Sequence, residues 1–143
     1  MIEPTKEYLV DVERKKWVLR HYTKGSDVLD AEVFAEGLSE DVRIVTGQGE
    51  ASGLDEARAA LERLRAAGVL AMRHDIQALW EPEPGVVVVE ATVTYSLDVG
   101  ALSPLPVVTI FRWRGAEVSD VRVYMDSTPL LQAATARRTF KTP

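Results

Sequence analysis

IFRWRGAEVSDVRVYMDSTPLL, residues 110–131, holds two strand patterns that meet at Gly115 and run out at an aspartate. Val121, Val123 and Met125 alternate with Arg122, Tyr124 and Asp126, the period-2 pattern of a strand with one apolar and one polar face. Pro129 cannot donate to a sheet ladder, so the strand stops before it. A carboxylate at a strand end, two residues after an aromatic hydroxyl, is a natural place for an acid/base group. It is equally a place for a helix cap, because Asp126, Ser127 and Thr128 precede a proline suited to a first helical turn.

Working outward, the same alternation predicts strands over 72–80, 86–97, 105–113 and 118–126, joined by the turn-forming EPEPG, DVGALSP and RGAE segments. Upstream the period is 3.6. Tyr8, Leu9, Val12, Val18 and Tyr22 predict a helix from about Thr5 to Tyr22, stopped by Gly25. Asp27 is placed to cap a second helix carrying Leu29, Val33, Phe34 and Leu38. Val42 and Ile44 read as a short strand. Ser52 and Asp55 then resemble a capping box for a third helix, whose stripe is Leu54, Ala57, Leu61 and Leu64 and whose end is Gly68. Three helices, one strand and a four-strand meander predict an α+β fold, with the helices packed on one face of a curved, mostly antiparallel sheet. At 143 residues the chain reads as a single domain, 1–143, with a short C-terminal tail from about residue 133.

Composition narrows the chemistry. With 22 acidic against 17 basic residues the net charge is −5, which argues against a nucleic-acid partner, whose phosphates need a basic surface. The chain contains no cysteine, which removes thiol nucleophiles, disulfides and thiolate metal sites. The two histidines, His21 and His74, have no ligand spacing, so no metal is expected. The N-terminus mixes acids with bases and has no apolar core of a signal peptide. The apolar run at 86–89 is too short to span a bilayer, so the expectation is a cytoplasmic protein without a membrane partner.

The order of these elements resembles the nuclear-transport-factor-2-like superfamily and, within it, the SnoaL-like branch related to polyketide cyclases. The likeness rests on FAEGLSEDVRI, on GLDEARAALERL, on His74 opening a strand, and above all on IFRWRGAEVSDVRVYMDSTPLLQ. The resemblance implies a cone-shaped barrel closed by the three N-terminal-half helices, an apolar cavity inside it, and proton chemistry without a cofactor. It also implies a homodimer. Asp126 falls where SnoaL-like cyclases keep their acid/base aspartate, although Val121 and Tyr124 stand where those enzymes carry imidazole and amide groups. The limonene epoxide hydrolase pattern would fall on Ala91, Val93 and Val123, and the steroid isomerase base near Thr46. Neither chemistry is supported by those residues.

The candidate catalytic residues are therefore Asp126 and His74. A carboxyl at an apolar cavity loses hydration and can exchange protons near neutrality, and a histidine can shuttle protons or hold a carbonyl. Tyr22, Tyr95 and Tyr124 are candidate hydroxyl donors to an oxyanion, Trp17 is a candidate wall residue, and Val93 and Val123 are candidate lining residues. The expected function is a cofactor-free cyclase, isomerase or dehydratase (lyase) acting on a small apolar or aromatic oxygenated molecule. The alternative is a non-catalytic module of the same fold that binds a ligand or dimerises.

Overall fold

The computed structural model describes residues 6–141. Its elements are β1 (Lys6–Tyr8), α1 (Val12–Arg20), α2 (Ala31–Ala35), β2 (Leu38–Thr46), β3 (Gly49–Ser52), α3 (Leu54–Ala66), β4 (Val69–Glu83), β5 (Val86–Leu97), β6 (Gly100–Ala101), β7 (Leu105–Arg114), β8 (Glu117–Tyr124) and α4 (Thr128–Lys141). A π-helical turn, His21–Gly25, and a 3-10 turn, Ser26–Val28, link α1 to α2. The strands form one sheet ordered β1-β4-β5-β7-β8-β2-β3, with β6 pairing only β5. β1–β4 and β2–β8 are parallel and the other pairs antiparallel. Register breaks between Ile76 and Ala78, Trp80 and Glu83, and Arg112 and Trp113 bend the long strands. The curled sheet and its helices make the α+β cone that the sequence predicts.

The alternation along β5 builds the inside of that cone. Val87, Val89, Ala91, Val93, Tyr95 and Leu97 are buried, while the residues between them face outward. Val107, Thr109 and Phe111 of β7 continue the inner face, with Val118 and Val121 of β8 and Val42 and Ile44 of β2 beyond them. Against it pack Val18 and Tyr22 from the first helical segment and Ala57 and Leu61 from α3. No helix among the described residues is long and apolar enough to cross a membrane.

Four local expectations are corrected. The first helix does not begin near Thr5: residues 6–8 pair with β4, Leu9 is left-handed and fully exposed, and Asp11 caps α1 by accepting from the Arg14 N–H at 3.0 Å. The cap of α2 is Asp30, not Asp27, and accepts from the N–H groups of Glu32 and Val33. At α3 the N-cap is Gly53, and the Glu56 carboxylate reaches back to the Ser52 N–H at 2.7 Å. The short C-terminal tail expected from about residue 133 is helical, continuing α4 to Lys141. Gly37 fixes how α1 meets the sheet: its φ is +76°, and a Cβ there would lie 2.3 Å from Trp17 Nε1.

Candidate functional site

The two ends of the cone differ. At one end a cluster of rings fills the interior: Trp17 stacks on His21 at 4.6 Å, His21 stacks on Phe34 at 4.5 Å, and Phe111 meets Trp17 edge-on at 5.4 Å. At the other end lies an open cavity of about 490 Å³ between β2–β3, α3, β8 and the start of α4. Its apolar wall includes Ile44, Leu64, Val123, Met125 and Leu130, and Tyr95 stands at its inner edge. A volume of that order suits a small-molecule ligand.

Between these regions sits a histidine–carboxylate pair. His74, on the inward side of β4, has Nδ1 2.6 Å from Asp27 Oδ1, and its backbone N–H donates to Asp27 Oδ2 at 3.2 Å. Both side chains are nearly enclosed, at 10% and 12% exposure. An ionised carboxylate can only accept, so Nδ1 carries a proton, and in the neutral ring Nε2 is then the lone-pair end. Among the described residues Nε2 has no hydrogen-bond partner. The Tyr22 ring lies against the imidazole with centroids 4.3 Å apart.

Local geometry explains how Asp27 arrives there. The π-helical turn carries buried His21 and Tyr22, and the 3-10 turn that follows delivers Asp27 to β4. Leu29 ends that turn in the left-handed conformation at φ +54°, held by burial and by Arg65, which donates to its carbonyl at 2.7 Å. Wide helical turns and left-handed non-glycine residues concentrate at functional sites.

Burial sets the protonation of the surrounding groups. Desolvation pushes the Tyr22 phenol up, with Thr109 offsetting part of the effect, and pushes Tyr95 up to about 12. Both phenols therefore stay protonated and are hydrogen-bond donors. The Tyr22 hydroxyl is buried without a partner that satisfies hydrogen-bond geometry, whereas the Tyr95 hydroxyl reaches Met125 Sδ at 3.9 Å. Desolvation pulls His21 down to about 3, against an opposing backbone contact from Phe34, so this imidazole is neutral within its aromatic stack.

The structure brings some of the sequence-predicted residues together and separates others. His74, Tyr22 and Val93 share the interior, Val93 being the registered cross-strand partner of His74. Tyr95, two residues further along β5, is the diagonal neighbour of His74 and lines the cavity with Val123. Tyr124 does not face the cavity: it is 58% exposed on the outer side of β8, as its place beside Arg122 allows. Trp17 lies in the ring cluster at the filled end, its Nε1 donating to the Glu36 carbonyl at 3.0 Å. Asp126 is exposed and absent from the cavity lining; its Oδ1 accepts from the Thr128 N–H at 3.0 Å. The Thr128 hydroxyl and amide hold its carboxyl below the usual range, the reverse of what an acid/base group near neutrality requires. Of its two readings, this is the helix-start geometry. Asp27 was the residue the sequence concealed, since its partner is far along the chain and its local context reads as a cap. Among the described residues, no group of histidine and acidic side chains is arranged to hold a metal ion.

Comparison with solved structures finds the same architecture repeatedly. An NTF2-like protein of unknown function from Burkholderia pseudomallei superposes with a TM-score of 0.74 at 19% identity, covering 87% of this chain and 99% of that one. TerC, co-crystallized with polyporic acid, gives 0.73 at 19% identity over 85% and 97% of the two chains. An LEH-like epoxide hydrolase from M. tuberculosis gives 0.66 at 14% identity over 87% and 90%. At these identities the likeness is one of fold, and the fold hosts more than one chemistry. No curated protein sequence matches significantly. The sequence profile of the SnoaL-like domain nevertheless matches residues 18–121, from α1 into β8, and the chain belongs to that family.

Proposed function

We propose that the protein is an acid/base enzyme of the isomerase, cyclase or dehydratase kind, working on a small, mainly apolar oxygenated molecule. The observation that carries this reading is the nearly enclosed His74–Asp27 pair, one diagonal cross-strand step from the cavity wall at Tyr95. Diagonal neighbours of this type lie roughly 7–8 Å apart, a distance that a ligand entering past Tyr95 bridges.

The step common to these reactions is proton transfer from carbon or oxygen. His74 Nε2 accepts the proton as the C–H bond breaks, the electron pair moves to the adjoining carbonyl oxygen, and Asp27 stabilises the imidazolium through Nδ1–H. A protonated phenol, Tyr95 or Tyr22, donates to the developing enolate oxygen. Return of the proton to another atom completes an isomerisation. In a dehydration the enolate expels the hydroxyl of the neighbouring carbon, which takes the proton from the His74 imidazolium and leaves as water.

A second reading has its own observation. Asp27 also accepts from the His74 backbone N–H, so the pair clamps the 3-10 turn to β4 and has a purely structural use in a ligand-binding module. The two separate in a solvent-exchange assay. Apolar aromatic ketones are incubated with the protein in heavy water and deuterium incorporation is followed by NMR, for the wild type and His74→Gln. The enzyme reading predicts incorporation that falls by roughly 100-fold or more in the variant. Ligands that bind but exchange no faster than in buffer leave the binding module in its place.

A further inference from the structure

The cavity rim carries an unbalanced charge. Arg63, on α3, is exposed and lines the cavity. Every other arginine from Arg14 to Arg122 is in an ion pair with a carboxylate: Arg14 with Glu81, Arg20 with Glu36, Arg43 with Glu50, Arg58 with Glu32, Arg65 with Glu62, Arg73 with Asp75, Arg112 and Arg122 with Asp120, and Arg114 with Asp41. Arg63 has no such partner among the described residues. The one carboxylate on the cavity rim, Glu50, is already taken by the Arg43 guanidinium through both Nε and Nη2. The rim amide and hydroxyl of Gln48 and Ser127 satisfy each other at 2.8 Å. In a chain of net charge −5, a lone cation beside an apolar wall is not part of a general basic surface.

We infer that the cavity takes an amphiphilic acid, an apolar or aromatic body with one carboxylate or equivalent anionic group that pairs with Arg63. This rests on the cavity being the ligand site of the proposed function and names the class of its substrate. A guanidinium fork matches a carboxylate in two parallel hydrogen bonds, and the apolar wall removes water from one side of the pair, which strengthens it. The arrangement also fixes orientation. With the anion held at the rim by α3, the body lies along Val123, Met125 and Leu64, and the end remote from the anion points to Tyr95 and the His74 side of the cone. The reacting carbonyl or hydroxyl is therefore distant from the anionic group within the substrate.

Two fluorescent probes of one skeleton test this: anilinonaphthalene sulfonate, which is anionic, and N-phenylnaphthylamine, which lacks the sulfonate. Backbone and side-chain NMR shifts at Tyr95 and Val123 locate the bound probe. The inference predicts tighter binding of the sulfonate, a loss of roughly tenfold in its affinity on Arg63→Gln, and an unchanged affinity for the neutral probe. Arg63 is exposed, so the substitution leaves the fold in place. Equal affinities that ignore Arg63→Gln overturn the anion assignment and leave the cavity standing as a site for neutral ligands. Probes that shift neither Tyr95 nor Val123 overturn the cavity as a ligand site, and the proposed function with it.

Discussion

The filled end of the cone and its open mouth are made by the same strands, yet one is packing and the other is a site. Phe111 and Val123 both face inward from the β7–β8 pair. Phe111 is fully buried beneath Trp17, His21 and Tyr22, whereas Val123 is half-buried and borders empty space. The difference comes from what covers the sheet. The first helix and π-helical turn bring a tryptophan, a histidine and a tyrosine down onto Phe111, where the rings pack against the inner face of the sheet. Over the mouth, α3 contributes Ala60, Arg63 and Leu64 and α4 contributes Leu130 and Leu131, none of them a large ring. A protein that needs a cavity leaves the large side chains out of one end and stabilises itself at the other.

The largest effect expected from this contrast is on stability. Phe111→Ala should cost about 3–5 kcal/mol, because it removes a fully buried ring and leaves an enclosed void. Val123→Ala, at a wall that already faces open space, should cost about 1 kcal/mol or less. Chemical denaturation giving equal losses at the two positions would erase the distinction between the ends.

A second effect reads the filled end by pH. The His21 imidazole titrates at about 3 in the folded chain against 6.5 ordinarily, so the unfolded chain binds a proton that the folded one refuses. The His21 contribution to stability is therefore fully present above about 6.5 and is lost as the pH drops toward 3. His21→Phe, which keeps a ring in the stack and removes the titration, should flatten part of that decline. Denaturation midpoints that fall as steeply in the variant as in the wild type between those values would show that His21 is not held neutral by burial.

The smallest effects belong to Asp126. As the group that receives the Thr128 amide, it should tolerate Asp126→Asn with nearly no change and lose about 1 kcal/mol or less as Asp126→Ala. Proton exchange into a bound ketone should be unaffected by the asparagine variant. A loss of two orders of magnitude would return Asp126 to the chemistry and displace His74.

The parts legible in the sequence are those with local causes. The inner and outer faces of β5 follow from strict alternation, and the limits 86–97 match because EPEPG and the DVG turn bracket them. The α3 stripe was equally plain, with Ala57 and Leu61 buried. What escaped depends on partners distant in sequence. Asp27 has the form of a helix cap until β4 brings His74 to it from 47 residues away, and the cap then passes to Asp30. Residues 6–8 fit a helical stripe until the edge of β4 offers them a parallel ladder. For Asp126 the catalytic and capping readings use the same residue at the same strand end. Only exposure and the Thr128 hydrogen bond tell them apart.

The central claim is that Asp27 fixes the His74 ring with its proton on Nδ1, leaving Nε2 to take a proton from a ligand. Long-range nitrogen–proton correlation NMR of histidine-labelled protein reads that tautomer directly. The account predicts that neutral His74 carries its proton on Nδ1 in the wild type and loses this preference in Asp27→Asn. A neutral His74 protonated on Nε2 in the wild type would contradict it, because the ring would then have no lone pair to offer on the side away from Asp27.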